Sequence, residues 1–144
     1  MLKCLIIDDA ELIRVRLREL ISETDGIELA GEAEDGEEGM KLIEEFKPEI
    51  VVLDIRMPKM NGISLLENIK QEQVHHAGYS EADNFLLKEN KHVPVIIIFS
   101  NYLNERYIDK CKMLGADYFF SKSDGLEGIK RIFNELASNN ITYK

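Results

Sequence analysis

Charged and hydroxyl residues stand where apolar runs stop, and this is the first chemical signal in the chain. Leu2–Ile7 ends in Asp8-Asp9, Ile50–Leu53 in Asp54 and Pro94–Phe99 in Ser100, while Lys122 closely follows Tyr118–Phe120. A charge at the tip of a buried run is expensive unless something uses it. If the runs converge, three carboxylates, a hydroxyl and an ammonium share one crevice. Carboxylates that close raise one another's pKa, and one lysine does not balance three of them. A divalent cation would, and Mg²⁺ suits a shallow site with one or two carboxylates and several waters. A metal-bound carboxylate beside a fixed lysine and a hydroxyl is a good receiver for a phosphoryl group, whose equatorial oxygens need positive charge around them. The carboxylate can itself be the nucleophile, giving an aspartyl-phosphate. Asp54, alone in the middle of the crevice, is the best-placed nucleophile, and Asp8 and Asp9 make a natural metal-holding pair.

The elements that must position these groups alternate. Strand patterns at Leu2–Ile7, Ile27–Ala33, Ile50–Leu53, Pro94–Phe99 and Tyr118–Phe120 are each followed by a helical pattern. The first helix carries Leu12, Ile13, Val15, Leu17, Leu20 and Ile21 as its apolar stripe and stops near Thr24-Asp25-Gly26. The second presents Met40, Ile43 and Phe46 and ends before Pro48. The third begins near Gly62; the fourth covers about 104–114 and stops at Gly115; the fifth runs from about Gly125 to Ser138. Strand and helix alternating five times imply βαβ units. Runs apolar on both faces imply helices above and below. The expected fold class is α/β, a doubly wound five-stranded parallel sheet with helices on both faces. In such sheets chemistry gathers at the carboxyl ends of the strands.

At 144 residues the chain suits one domain, and its 44% hydrophobic and 31% charged content is that of a soluble globular protein. A net charge of −9 argues against direct nucleic-acid binding, which needs a basic face. Much of the acid lies between Glu23 and Glu45 and reads as a solvated helical face. No run is long enough for membrane insertion, Met1-Leu-Lys leads straight into a strand, and two isolated cysteines suggest free thiols, so a cytoplasmic location is expected. One segment breaks the rhythm. The connection between third helix and fourth strand, at about 71–93, is far longer than usual. It carries helical potential at Glu81–Lys88, an apolar Phe85-Leu86-Leu87, and His75, His76 and His92, which read as solvated rather than metal-binding.

The chain resembles a receiver domain of a bacterial two-component response regulator, of the chemotaxis-regulator kind. The resemblance rests on IIDD at 6–9, LDIRMPKMNG at 53–62, IIFS at 97–100 and GADYFFSK at 115–122, in that order and each at a strand end. It implies a flavodoxin-like sheet of order 2-1-3-4-5 and a single receiver domain over 1–140; no helix-turn-helix or catalytic pattern follows the fifth helix, so no output domain is expected. It also implies that Asp54 is the phosphoacceptor, and that Mg²⁺, or Mn²⁺ in its place, is held by Asp9 directly, by Asp8 largely through water, by Asp54 and by the Arg56 backbone carbonyl. Lys122 would pair with a phosphoryl oxygen, Ser100 would be the switch hydroxyl, and Phe119 the aromatic switch that turns inward. Pro58 and Gly62 would shape the loop after the third strand. The implied partners are a sensor histidine kinase or phosphotransfer protein, and a downstream protein docking on the face of the fourth helix, fifth strand and fifth helix. Arg56 and Tyr102, both bulky, would flank the route of an attacking water and lengthen the phosphorylated lifetime.

Three positions depart from the common pattern. Ser123 follows Lys122 where many relatives carry a cis-proline, leaving a trans or an unusual cis bond open. Asn101 stands where a small alanine is frequent, and the long 71–93 connection is the largest departure, with no role assigned to it by the family pattern. Other readings compete. Asp8-Asp9 could simply cap the first helix. A flavodoxin-like carrier would need a phosphate-binding loop after the first strand, where DDAELIR would repel a phosphate. A haloacid-dehalogenase-like phosphatase would need a D-x-D nucleophile after the first strand. A receiver cut from a larger regulator or hybrid kinase is compatible with all of these residues.

Overall fold

The computed structural model describes residues 1–57, 59–74 and 93–142. Strands β1 (Leu2–Ile7), β2 (Ile27–Ala33), β3 (Ile50–Leu53), β4 (Val95–Ser100) and β5 (Tyr118–Ser121) alternate with helices α1 (Glu11–Glu23), α2 (Gly36–Phe46), α3 (Gly62–Val74), α4 (Glu105–Met113) and α5 (Leu126–Thr142). The sheet order is β2-β1-β3-β4-β5, and every adjacent pair is parallel. This is the order the resemblance implies.

Successive residues of a strand face opposite ways, and here both ways lead into a core. Cys4 and Ile6 of β1, with Val52, Ile97 and Phe99, pack against Leu17, Leu20 and Ile21 of α1 and Ile129, Ile132 and Phe133 of α5. Their neighbours Leu5 and Ile7, with Val51, Leu53, Ile96 and Ile98, pack against Ile43 of α2, Leu65, Leu66 and Ile69 of α3 and Cys111 of α4. The buried stretches of the central strands are therefore apolar, and polar residues such as Lys3 and Ser100 stand at the strand ends.

Element bounds follow the sequence closely, with informative shifts. Ser100 is the last residue of β4, paired with Ser121, and the strand starts at Val95, whose N–H donates to the Glu49 carbonyl. Pro94 has no N–H to offer such a ladder. Gly115, at φ +98, turns the chain after α4 as expected. Leu12 departs from expectation: it is 63% exposed rather than part of the buried stripe. It lies about 140° around the helix from Leu17, off the face that meets the sheet. The extra helical turns at Glu81–Lys88, the Phe85-Leu86-Leu87 patch, the three histidines and Pro58 lie outside the described residues.

Gly62 opens α3 directly beneath the end of β3. Its N–H donates to the Ile55 carbonyl at 2.7 Å. A Cβ there would meet the Asp54 carbonyl and come within 2.9 Å of Ile55 Cα. Backbone cannot swing aside as a flexible side chain can. Gly62→Ala is expected to cost about 1–3 kcal/mol of stability, read as a lower urea midpoint by far-UV circular dichroism; an unchanged midpoint contradicts this packing.

Candidate functional site

Strand register builds the site. Ile7 pairs with Leu53, Leu53 with Ile98 and Ile98 with Phe119, so one row of residues crosses four strands. One residue beyond that row, Asp8 and Asp54 leave neighbouring strands together. The Asp54 N–H donates to the Ile7 carbonyl and the Asp8 N–H to the Ala33 carbonyl, each at 3.0 Å. The β1–β3 boundary is also where the sheet's winding reverses, which opens a crevice between the connecting segments.

Asp8 and Asp54 are buried, while Asp9 is exposed at the rim. Ligand oxygens of the three lie within 4.8 Å of one another. Lys122 Nζ stands 2.8 Å from Asp8 Oδ2 and 2.8 Å from Asp54 Oδ2. Asp8 Oδ1 accepts from the Ala10 N–H at 2.9 Å. Capping alone therefore does not explain Asp8: one oxygen secures the turn into α1 and the other takes the lysine. Burial raises the Asp8 pKa, the hydrogen bonds from Lys122 and Ala10 pull against it, and the charge of Asp54 adds to the rise. Burial opposes the Lys122 ammonium, but the carboxylates of Asp54 and Asp8 outweigh it and hold its pKa above the ordinary value.

Two features make the crevice fit a cation. One ammonium against three carboxylates leaves an excess of negative charge. Among the described residues, Asp54 Oδ1 is the buried side-chain oxygen with no hydrogen-bond partner. A hard divalent ion matches both the charge and the all-oxygen donor set.

The remaining predicted residues gather around this centre. Ser100 is fully buried, and its Oγ accepts from the Tyr102 N–H at 3.1 Å. The Lys122 N–H donates to the Ser100 carbonyl at 3.3 Å, which ties the ends of β4 and β5 together. Phe119 is half-buried against the core shared with α3 and α4, with Lys112 Nζ 6.0 Å from its ring centroid. Arg56 and Tyr102, chosen separately from the sequence, are in contact: the guanidinium carbon sits 4.1 Å from the tyrosine ring centroid. Tyr107 and Tyr102 raise the Arg56 pKa above its ordinary value, and the ring contact joins the loop after β3 to the segment after β4. The Lys122–Ser123 bond is trans, since no described peptide is cis. Ser121 Oγ accepts from the Ser123 N–H at 3.2 Å and lies 2.8 Å from Ser123 Oγ, so paired serines shape this turn. Sequence reasoning passed over Arg14, whose Nη1 donates to the Asp8 carbonyl at 2.8 Å. Its place six residues beyond Asp8 was the available signal.

The sequence matches the family model for the response regulator receiver domain over residues 4–134. The chain belongs to the response regulator receiver family. It is 33% identical over 138 residues to protein-glutamate methylesterase/protein-glutamine glutaminase 1 of Methanospirillum hungatei, covering 94% of this chain and 35% of that protein. It is 37% identical over 137 residues to the nitrate/nitrite response regulator protein NarL of Escherichia coli, covering 95% of this chain and 55% of that one. The chain thus spans about a third of the first relative and about half of the second. The response regulator domain of Thermotoga maritima CheB has the same fold, with a TM-score of 0.71 at 22% identity over 96% of this chain and 95% of that one. Receiver domains are phosphorylation-activated signalling switches of two-component systems that interact with histidine kinases and downstream effectors. No helix among the described residues is long and apolar enough to cross a membrane.

The receiver's acidic centre should be visible in its stability. Folding raises the Asp8 pKa above its ordinary value of 3.8. A group raised by folding contributes stability fully present below its unfolded pKa, and that contribution is lost as pH rises through the folded pKa. Ionised Asp8 therefore weakens the fold at neutral pH without metal. Asp8→Asn should melt higher than the unaltered protein at neutral pH in EDTA, with the gap closing as pH falls toward the ordinary carboxylate range; a lower melting temperature contradicts this.

Proposed function

We propose that this receiver accepts a phosphoryl group onto Asp54 from the phosphohistidine of a sensor histidine kinase or phosphotransfer protein. The observation that carries the reading is the asymmetry of Asp54: Oδ2 is fixed by Lys122, while Oδ1 is buried and unpartnered among the described residues. Asp8, Asp9, Asp54 and the Arg56 backbone carbonyl would hold Mg²⁺, or Mn²⁺ in its place. When bound, the ion supplies positive charge to the transferring phosphoryl oxygens.

An Asp54 carboxylate oxygen attacks phosphorus, the P–N bond of the phosphohistidine breaks, and the imidazole leaves. Lys122 then pairs with a phosphoryl oxygen. The Ser100 hydroxyl, which already accepts from the Tyr102 N–H, turns its own proton toward the phosphoryl group. Phe119, in strand register with Ile98 two residues before Ser100, moves further inward, and the α4-β5-α5 face presents a new surface to a downstream protein. The domain acts on itself alone: Asp54 takes up the phosphoryl group and water later removes it. Residues 1–140 act as one receiver domain, in the cytoplasm. A second reading, a receiver within a longer regulator, is favoured by the chain's 35% coverage of its methylesterase relative.

Acetyl phosphate with Mg²⁺ should label the protein stoichiometrically, and Asp54→Asn should abolish the label. Multiple turnovers of p-nitrophenyl phosphate would instead point to a phosphatase. The stacked Arg56 and Tyr102 support a second expectation, that the phosphorylated form lasts minutes to hours without a phosphatase. Arg56→Ala or Tyr102→Ala should shorten it several-fold. A lifetime of a few seconds in the unaltered protein refutes the shielding role.

A further inference from the structure

Arg14 lies on α1, yet its guanidinium turns back to the end of β1 and is 11% exposed. Its three nitrogens are all committed. Nη1 donates to the Asp8 carbonyl at 2.8 Å, Nε stands 3.4 Å from Glu32 Oε1, and Nη2 3.3 Å from Glu34 Oε1. Arg18 Nη1 holds the other Glu32 oxygen at 3.0 Å, so the anchor is itself anchored. Two carboxylates from β2 and its continuation thus orient the planar fork, and its remaining edge grips the backbone of Asp8 rather than its carboxylate. A planar, always-charged group with donors in fixed directions is suited to that task, and a lysine is not.

We propose that Arg14 is a positioning residue that fixes the Asp8-Asp9 turn for divalent-cation binding. The inference rests on reading the acidic crevice as the cation site. Asp8 is then held at its N–H by Ala33, at one carboxylate oxygen by Ala10, at the other by Lys122 and at its carbonyl by Arg14. The following residue, Asp9, is exposed and gains its direction from the turn beneath it. Two physical roles for Arg14 have opposite signs. A mere nearby positive charge repels a cation, so its removal would tighten binding. A positioning residue weakens binding when lost, whether or not its charge is kept.

The test is Mn²⁺ affinity, read from the electron paramagnetic resonance of unbound ion, with melting temperature in EDTA recorded for each variant. Arg14→Gln and Arg14→Lys should both bind about tenfold more weakly, the size typical of lost groups that orient metal ligands. The slowed acetyl phosphate labelling of Arg14→Gln should recover at high Mg²⁺. Arg14→Gln binding Mn²⁺ as tightly as, or more tightly than, the unaltered protein overturns the role. Should Arg14→Gln fail to fold, Arg14→Lys, which keeps the charge and loses the fork, carries the test alone, and unchanged affinity there overturns the role. If the unaltered protein binds no Mn²⁺, the cation-site reading itself fails and the Arg14 role falls with it.

Discussion

Lys122 Nζ stands 2.8 Å from a carboxylate oxygen of Asp8 and 2.8 Å from one of Asp54, and the rest of the site is arranged around that bridge. Two buried carboxylates leaving neighbouring strands would repel one another and shed charge by taking up protons. The shared ammonium keeps them together and ties the end of β5 to β1 and β3. It also leaves the crevice short of positive charge, with Asp54 Oδ1 bare among the described residues and Asp9 at the rim. A site in that condition is built to receive charge. Lys122 follows the end of β5 directly, its N–H donates to the carbonyl of Ser100 at the end of β4, and Phe119 lies three residues upstream.

The sheet supplies the precision that such a bridge needs. Parallel strands buried on both faces admit polar groups only at or past the ends of the ladder, and the register sets where each one falls. Asp8 and Asp54 follow paired residues, Ile7 and Leu53, so their spacing is that of adjacent strands and not an accident of loops. Groups on rigid elements hold geometry better than groups on flexible loops. The loop after β3 is in turn restrained from below by Gly62 and from the side by the contact between Arg56 and Tyr102.

Much of this was legible before any coordinates. The bounds of β1, β2 and β3 agree residue for residue with the apolar runs, because turn formers and charges sit directly at their ends. The acidic pair, Asp54, Ser100 and Lys122 were legible for the same reason. What remained hidden depends on contacts between distant elements. Leu12 looks like core in sequence, and only the direction of the sheet shows that it is not. Arg14 looks like a surface residue of an amphipathic helix until Glu32 on β2 and Glu34 just past its end turn it inward. The trans bond at Lys122–Ser123 was open in sequence, since two serines can shape that turn without proline.

The central claim is that one carboxylate, at the end of β3, carries the signal. Brief treatment with acetyl phosphate and Mg²⁺, followed by borohydride reduction and peptide mass spectrometry, tests it at residue resolution, because the hydride converts an acyl phosphate to an alcohol where it stands. Reduction confined to Asp54 is the predicted result. Reduction at Asp8 or Asp9, or none despite stable labelling, would contradict the account.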